Sequence, residues 1–280
     1  MPPRAETDST TSNSCLSRKP PASAFERSRA EGRAALVGYL PAGFPDVPGG
    51  IDALTVMVDS GCDVIEVGLP YSDPVMDGPT IQAAAVEALR NGFRLKQLFE
   101  VVEAVSSRGG KAIVMTYWNP VHKYGVDAFA RDLAAAGGLG IITPDLTPDE
   151  AGDWMVASAE HGLDRIFLVA PSSSEERIGK TVKAASGFVY ATTVMGVTGA
   201  RETVGAGARE LVRRTREHTD LPIGVGLGVR SGAQAAEVAS FADAVIVGSA
   251  LVTQAGEGVD AVRALSAELA EGVRKTVTPA

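Results

Sequence analysis

Glu66 is the residue from which the chemistry of this chain is most directly read. It stands inside the apolar run Val64–Gly68, and the two-residue period of a strand puts it on one face with Val64 and Gly68. No Lys or Arg lies close to it in sequence. A carboxyl desolvated in this way titrates toward neutrality, the condition a general acid needs near pH 7. The bland alternative is a structural glutamate neutralised by a distant arginine. Asp77 follows in the next loop, ahead of Gly78, Pro79 and a helix-forming stretch. As a residue type it serves equally as a helix cap or as a ligand contact. Asp73, between Ser72 and Pro74, reads as a turn former.

Three glycine-rich segments follow later apolar runs: Gly196–Gly199, Val225–Gly232 and Val247–Ala250. Each exposes backbone N–H groups. The last two hold Gly226, Gly228 and Gly248, with Ser249 placed to add its hydroxyl, and they are read as a phosphate cradle rather than as simple tight turns. Tyr190 either lines the mouth of such a site or sits in the core, and its surroundings in sequence do not choose. His122, His161 and His218 form no H-x-H or H-E-x-x-H pair, so no metal site is expected. Lys111 starts a strand, the wrong end for a Schiff base. Trp118 and Trp154 read as packing residues.

These groups need a scaffold that brings strand ends together. Eight apolar, β-rich runs are spaced along the chain: Ala34 to Leu40, Asp63 to Gly68, Lys111 to Thr116, Leu139 to Ile142, Arg165 to Val169, Gly187 to Ala191, Pro222 to Gly226 and Asp243 to Val247. Most are continuously apolar, as in strands covered on both faces, so the sheet should be parallel. Between them Leu95, Leu98, Phe99, Val102 and Val105 recur at helical spacing, as do Ile51, Leu54 and Val58. Asp46 with Pro48 opens the first long helix, and Ser173 with Glu176 forms a capping box. Eight units of about thirty residues fit a closed (β/α)8 TIM barrel better than an open doubly wound sheet. Catalytic residues then belong just past the carboxyl ends of the strands.

The 280 residues carry 26 basic and 34 acidic side chains, for a net charge of −8, which excludes a basic stripe for nucleic acid or anionic lipid. Any anion must be gripped locally. Cys15 and Cys62 are too few for a disulfide framework, and neither a bilayer-spanning stretch nor a signal core is present, so a cytoplasmic protein is expected. Residues 1–22, polar and rich in Ser, Thr and Pro, read as a disordered tail before a single barrel domain over 23–276.

The stretch I-E-V-G-L-P-Y-S-D-P-V-M-D-G-P-T-I-Q resembles the tryptophan synthase alpha subunit family. Y-L-P-A-G-F-P-D near Tyr39, M-T-Y-W-N-P near Asn119, T-P-D-L near Asp145, G-V-T-G, V-G-L-G-V and V-G-S-A support the likeness, which runs from about Ala24 to Thr276. It implies a (β/α)8 barrel that cleaves indole-3-glycerol phosphate to indole and glyceraldehyde 3-phosphate, a lyase reaction of tryptophan biosynthesis needing no cofactor in this chain. The implied partner is a beta subunit that carries pyridoxal phosphate (PLP), with two alpha subunits capping a beta dimer in an alpha2beta2 heterotetramer. A free-standing lyase and a weakly catalytic regulatory subunit are the competing readings.

By the same resemblance Glu66 matches the family's acid/base and Asp77 its second catalytic carboxylate. Tyr39 and Tyr190 match aromatic and phenolic contacts to the substrate, and Gly199, Gly226, Gly228, Gly248 and Ser249 the phosphate cradle. Thr198 matches a lid residue that meets Asp77. The chain departs from the family after the sixth-strand tyrosine, where Val194 and Met195 stand in place of a basic residue.

Overall fold

The computed structural model describes residues 22–192 and 201–275. Every strand pair is parallel. The strands are β1 (Ala35–Pro41), β2 (Val64–Gly68), β3 (Ala112–Met115), β4 (Gly140–Ile142), β5 (Asp164–Ile166), β6 (Leu168–Val169), β7 (Val189–Thr192), β8 (Ile223–Gly226) and β9 (Ala244–Val247). They form one sheet in the order β5-β4-β3-β2-β1-β9-β8-β7-β6. Its two ends, β5 and β6, are separated in the chain only by Phe167, so they are two pieces of one strand and the sheet closes on itself.

All eight predicted strands are present, and the correction concerns the fifth. It breaks at Phe167, where its hydrogen bonds change partner: Ile166 lies opposite Ile142 of β4, and Leu168 opposite Tyr190 of β7. Phe167 is itself buried, its carbonyl accepting from Tyr190 N at 3.1 Å.

The continuous apolar strands have two buried faces, as a barrel wrapped by helices requires. Alternate residues such as Val37, Val64, Ile113, Ile142, Ile166 and Ile246 fill the interior. Their neighbours, among them Leu36, Ile65, Val114, Ile141 and Val245, pack outward against the helices. Phe25, from the helix Ala22–Ala30, joins the inner cluster and lies 5.2 Å from the Phe188 ring, which precedes β7. The amino ends of the strands are thereby plugged. At the same rim Arg33 makes a two-pronged contact with Asp63 at 2.7 and 2.8 Å, both side chains being almost wholly buried. Asp63 also accepts the backbone N–H of Leu36 at 2.9 Å, joining the first two strands.

Helix starts follow local chemistry with one shift. Asp46 caps the helix Val47–Asp59 by accepting Gly49 N at 2.7 Å. Ser173 is not the cap predicted for the helix Glu175–Ala184. Ser174 is, its hydroxyl accepting Arg177 N at 3.2 Å, while the Ser173 hydroxyl accepts Ala170 N and closes the preceding turn. The buried stripe of Val47–Asp59 also turns away from Ile51 and Val58 toward Gly50, Ala53, Leu54, Val56 and Met57. A side chain at Gly50 would come within 3.2 Å of the Phe44 carbonyl, so small residues set that close approach. In Leu95–Ser107 the predicted stripe is buried through Leu98, Val102 and Val105, with Val101 added.

Residues 1–21, which include Cys15 and most of the expected tail, lie outside the described residues, and Ala22 already opens a helix. Among the described residues no helix is long and apolar enough to cross a membrane.

Candidate active site

Glu66 sits in the middle of β2, between Tyr39 of β1 and Ile113 of β3 in the register. In neighbouring parallel strands, paired residues point to the same side, so Tyr39 and Glu66 both face the barrel interior. Glu66 is 2% exposed, and its Oε2 has no hydrogen-bond partner among the described residues. Burial lifts this carboxyl to about 8, and the charge of Asp77 adds to the lift. No Arg or Lys contributes among the described residues, so the structural reading with a neutralising arginine is not what the fold builds.

Asp77 lies in the loop after β2. The following helix, Pro79–Arg90, is capped at Gly78 without any side chain, so Asp77 is not its cap. Its backbone carbonyl accepts Gln82 Nε2 at 2.7 Å. Burial raises the Asp77 carboxyl, and a hydrogen bond from the Tyr117 hydroxyl partly offsets the rise. Of the even choice that local chemistry allowed, tertiary structure removes the capping role.

Tyr117, just past β3, is the site residue that residue-level reasoning missed. Its oxygen accepts Met76 N at 3.0 Å and its hydroxyl reaches Asp77, so one side chain holds both the backbone and the carboxylate of the loop. Burial pushes the phenol up to about 12. Tyr71 packs on it with ring centres 5.4 Å apart, and Asn119 donates to the Tyr71 hydroxyl at 3.1 Å. Asp145 holds the next backbone N–H, that of Trp118, at 2.9 and 3.1 Å. The available signal was position: a polar aromatic two residues past the apolar run Ala112–Met115, at the same strand end as the loop after β2.

Two tyrosines lean over glycines at strand ends. A Cβ at Gly68 would lie 2.4 Å from the Tyr39 hydroxyl, and one at Gly226 would lie 2.7 Å from that of Tyr190. Both positions therefore require glycine for close approach. Burial drives both phenols well above their ordinary range, and Glu66 and Asp77 add to the effect on each. Tyr190 also packs against the inner cluster of the barrel.

The glycine loops after β8 and β9 lie on the same rim. Gly226 pairs with Ile246, so Gly228 and Gly248, two residues further along each chain, leave the barrel side by side. Gly228 has φ +67°, a conformation open chiefly to glycine. The helix Ser249–Glu257 starts directly after Gly248 with no side-chain cap, leaving its first N–H groups for a ligand. A Cβ at Gly248 would be 3.5 Å from Cδ1 of Tyr39, which ties this loop to the carboxylate side of the mouth. Thr198, Gly199, Val194 and Met195 lie outside the described residues.

Lys111 immediately precedes β3, and Trp154 is fully buried, as read from sequence. Among the described residues one group, Asp127, Glu160 and His161, brings possible metal-ligand atoms together on outer helices, which histidine spacing did not show. His161 Nε2 lies 2.8 Å from Asp127, an ion-pair geometry.

A closed parallel barrel with a protonatable buried glutamate, a second carboxylate and an uncapped helix start on one rim has the build of a (β/α)8-barrel enzyme. The family described as tryptophan synthase alpha chain matches residues 25–278. The chain is 67% identical over 253 residues to the tryptophan synthase alpha chain of Nocardia farcinica, covering 90% of this chain and 95% of that one. It is 64% identical over 250 residues to that of Mycobacterium tuberculosis H37Rv, covering 89% and 93%. A solved Mycobacterium tuberculosis tryptophan synthase superposes with a TM-score of 0.87 at 63% identity, over 91% of this chain and 98% of that one. The alpha subunit from Legionella pneumophila superposes at 0.84 with 29% identity, over 91% and 99%. The chain belongs to the tryptophan synthase alpha chain family and is an enzyme of tryptophan biosynthesis.

Proposed function

We propose that the chain is the carbon–carbon lyase that splits indole-3-glycerol phosphate into indole and glyceraldehyde 3-phosphate. The observation that carries this reading is Glu66, buried, with an unpartnered oxygen and a carboxyl near 8, coupled to Asp77 at the rim that holds the glycine loops. Near neutral pH Glu66 holds its proton and delivers it to indole C3. The positive charge then moves onto the ring nitrogen, whose N–H donates to Asp77. Glu66, now a carboxylate, takes the proton from the hydroxyl on the adjoining glycerol carbon. The O–H electron pair becomes the carbonyl π bond, and the carbon–carbon pair returns to the ring and restores indole. Glu66 ends protonated, ready for another turn.

Gly226, Gly228, Gly248 and Ser249 would hold the phosphate through backbone N–H groups and one hydroxyl, together with Gly199. Tyr39 and Tyr190 flank the indole and glycerol portions, and Thr198 closes over Asp77. The chemistry is acid/base throughout and assigns no cofactor to this chain. Indole passes to a PLP-dependent beta subunit for condensation with L-serine in an alpha2beta2 heterotetramer in the cytoplasm. The relatives' naming as alpha chains supports such a partner.

The test is indole release from indole-3-glycerol phosphate, measured with and without beta subunit and with Glu66→Gln as control. Beta subunit should raise the rate strongly, and Glu66→Gln should lower it by at least about a hundredfold. Near wild-type turnover in that variant would remove Glu66 from the reaction.

A further inference from the structure

The ring of Tyr39 forms part of the pocket wall, yet its hydroxyl ends among the charged groups. Tyr39 is 5% exposed and is Glu66's register partner on β1. Its oxygen overhangs the backbone of Gly68, which lies one pleat, about 7 Å, further along the strand than Glu66. Asp77 and then Glu66 are the charges it feels most strongly, with Tyr117 and Tyr190 behind them. Both carboxylates therefore act on this phenol, which shares the interior face with Glu66.

A polar group in this position needs a reason. Phenylalanine would supply the same ring without burying a hydroxyl, and a buried donor without a partner is destabilising. Among the described residues the hydroxyl donates to no group, and Glu66 Oε2 across the register is unpartnered too. Tyr39 and Glu66 are register partners on the interior face, so a phenol donor and a carboxyl acceptor sit side by side there and match a ligand hydroxyl that accepts from one and donates to the other.

We infer that the Tyr39 hydroxyl is a catalytic hydrogen-bond donor to the glycerol oxygen bonded next to indole C3, the oxygen whose proton Glu66 removes. The inference rests on the lyase reading above and extends it to a group not yet given a part in the chemistry. As the proton leaves for Glu66, negative charge builds on that oxygen before the carbonyl forms, and the hydrogen bond strengthens. Tyr39 keeps its own proton throughout, because burial and two neighbouring carboxylates hold the phenol far from ionising. No bond to Tyr39 forms or breaks. Tyr190, above Gly226 on the far side of the mouth, is left to the phosphate-proximal part of the substrate.

The experiment compares wild type, Tyr39→Phe and Tyr39→Leu, each with its beta subunit, on two ligands. One is indole-3-glycerol phosphate as substrate. The other is indole-3-propyl phosphate, which lacks both glycerol hydroxyls, as a competitive inhibitor. Tyr39→Phe should lower kcat/KM by about tenfold to a hundredfold, mainly through kcat, because the lost bond is strongest as charge develops. Its inhibition constant for the propyl analogue should stay within about twofold of wild type, since that ligand never used the hydroxyl. That unchanged constant also shows a folded pocket. Tyr39→Leu should weaken both ligands, because it removes the ring as well.

Unchanged kcat/KM in Tyr39→Phe would overturn the inference. So would an equal loss for both ligands, which marks Tyr39 as packing alone. A wild-type complex that neither cleaves the substrate nor binds the analogue would overturn the lyase reading, and this inference with it.

Discussion

Replacing Glu66 with glutamine should stabilise the protein, by an amount that grows with pH. In the unfolded chain this carboxyl titrates near 4.5, and in the folded protein near 8, because burial withholds water from its charge and Asp77 repels it. Between those values the folded state retains a proton that the unfolded state has released, so folding stability falls as pH rises. The two values lie about three and a half pH units apart, and at about 1.4 kcal/mol each the full penalty approaches about 5 kcal/mol above pH 8. The same expression leaves about 3 kcal/mol at pH 7 and almost nothing below pH 4. Glutamine has the shape of the carboxyl and no charge, so it escapes the penalty at every pH. Urea unfolding of wild type and Glu66→Gln at unit intervals from pH 4 to pH 9 reads this directly, because the titrations common to both chains cancel in the difference. The variant should gain on wild type from pH 5 upward and level off above pH 8, while losing activity. A gap that does not change with pH, or wild type gaining as pH rises, would refute the burial of a protonated carboxyl at this position.

Tyr117→Phe removes both the acceptor for Met76 N and the donor to Asp77. The Asp77 carboxyl then titrates higher, so the acid limb of the kcat/KM profile should move to higher pH and kcat should fall about tenfold. Gly68→Ala places a Cβ 2.4 Å from the Tyr39 hydroxyl, which forces that ring to swing away. Activity should drop at least about tenfold, against a loss of about 1–3 kcal/mol in urea unfolding. Asp63→Ala leaves Arg33 charged and buried at the opposite rim, and a loss of about 3–5 kcal/mol should appear in urea unfolding with kcat per folded molecule unchanged.

How much of this was legible before folding depends on the range of the interaction. Continuous apolar runs mark strands because both faces must be covered, and the Asp46 cap is visible because it joins neighbours along the chain. The Ser173 cap failed by a single residue, since three consecutive serines offer the same hydroxyl and only the preceding turn, closed on Ala170, selects among them. The placement of the glycine loops was readable by position at the last two strand ends. Tyr117 was not, because its partners, Met76 and Asp77, lie about forty residues earlier.

Sequence by itself determined the strands, most helix starts and the apolar surroundings of Glu66, because these depend on sterics, capping and a burial pattern with periods of two or nearly four residues. Only the tertiary structure decided that the fifth strand breaks to close the barrel, that Asp77 accepts from Tyr117 instead of capping a helix, and that the Tyr39 hydroxyl overhangs Gly68. Those outcomes depend on register and approach between segments far apart in the chain. There the proton affinity of a carboxyl is set by which groups meet across the barrel, and local order in the chain does not encode that meeting.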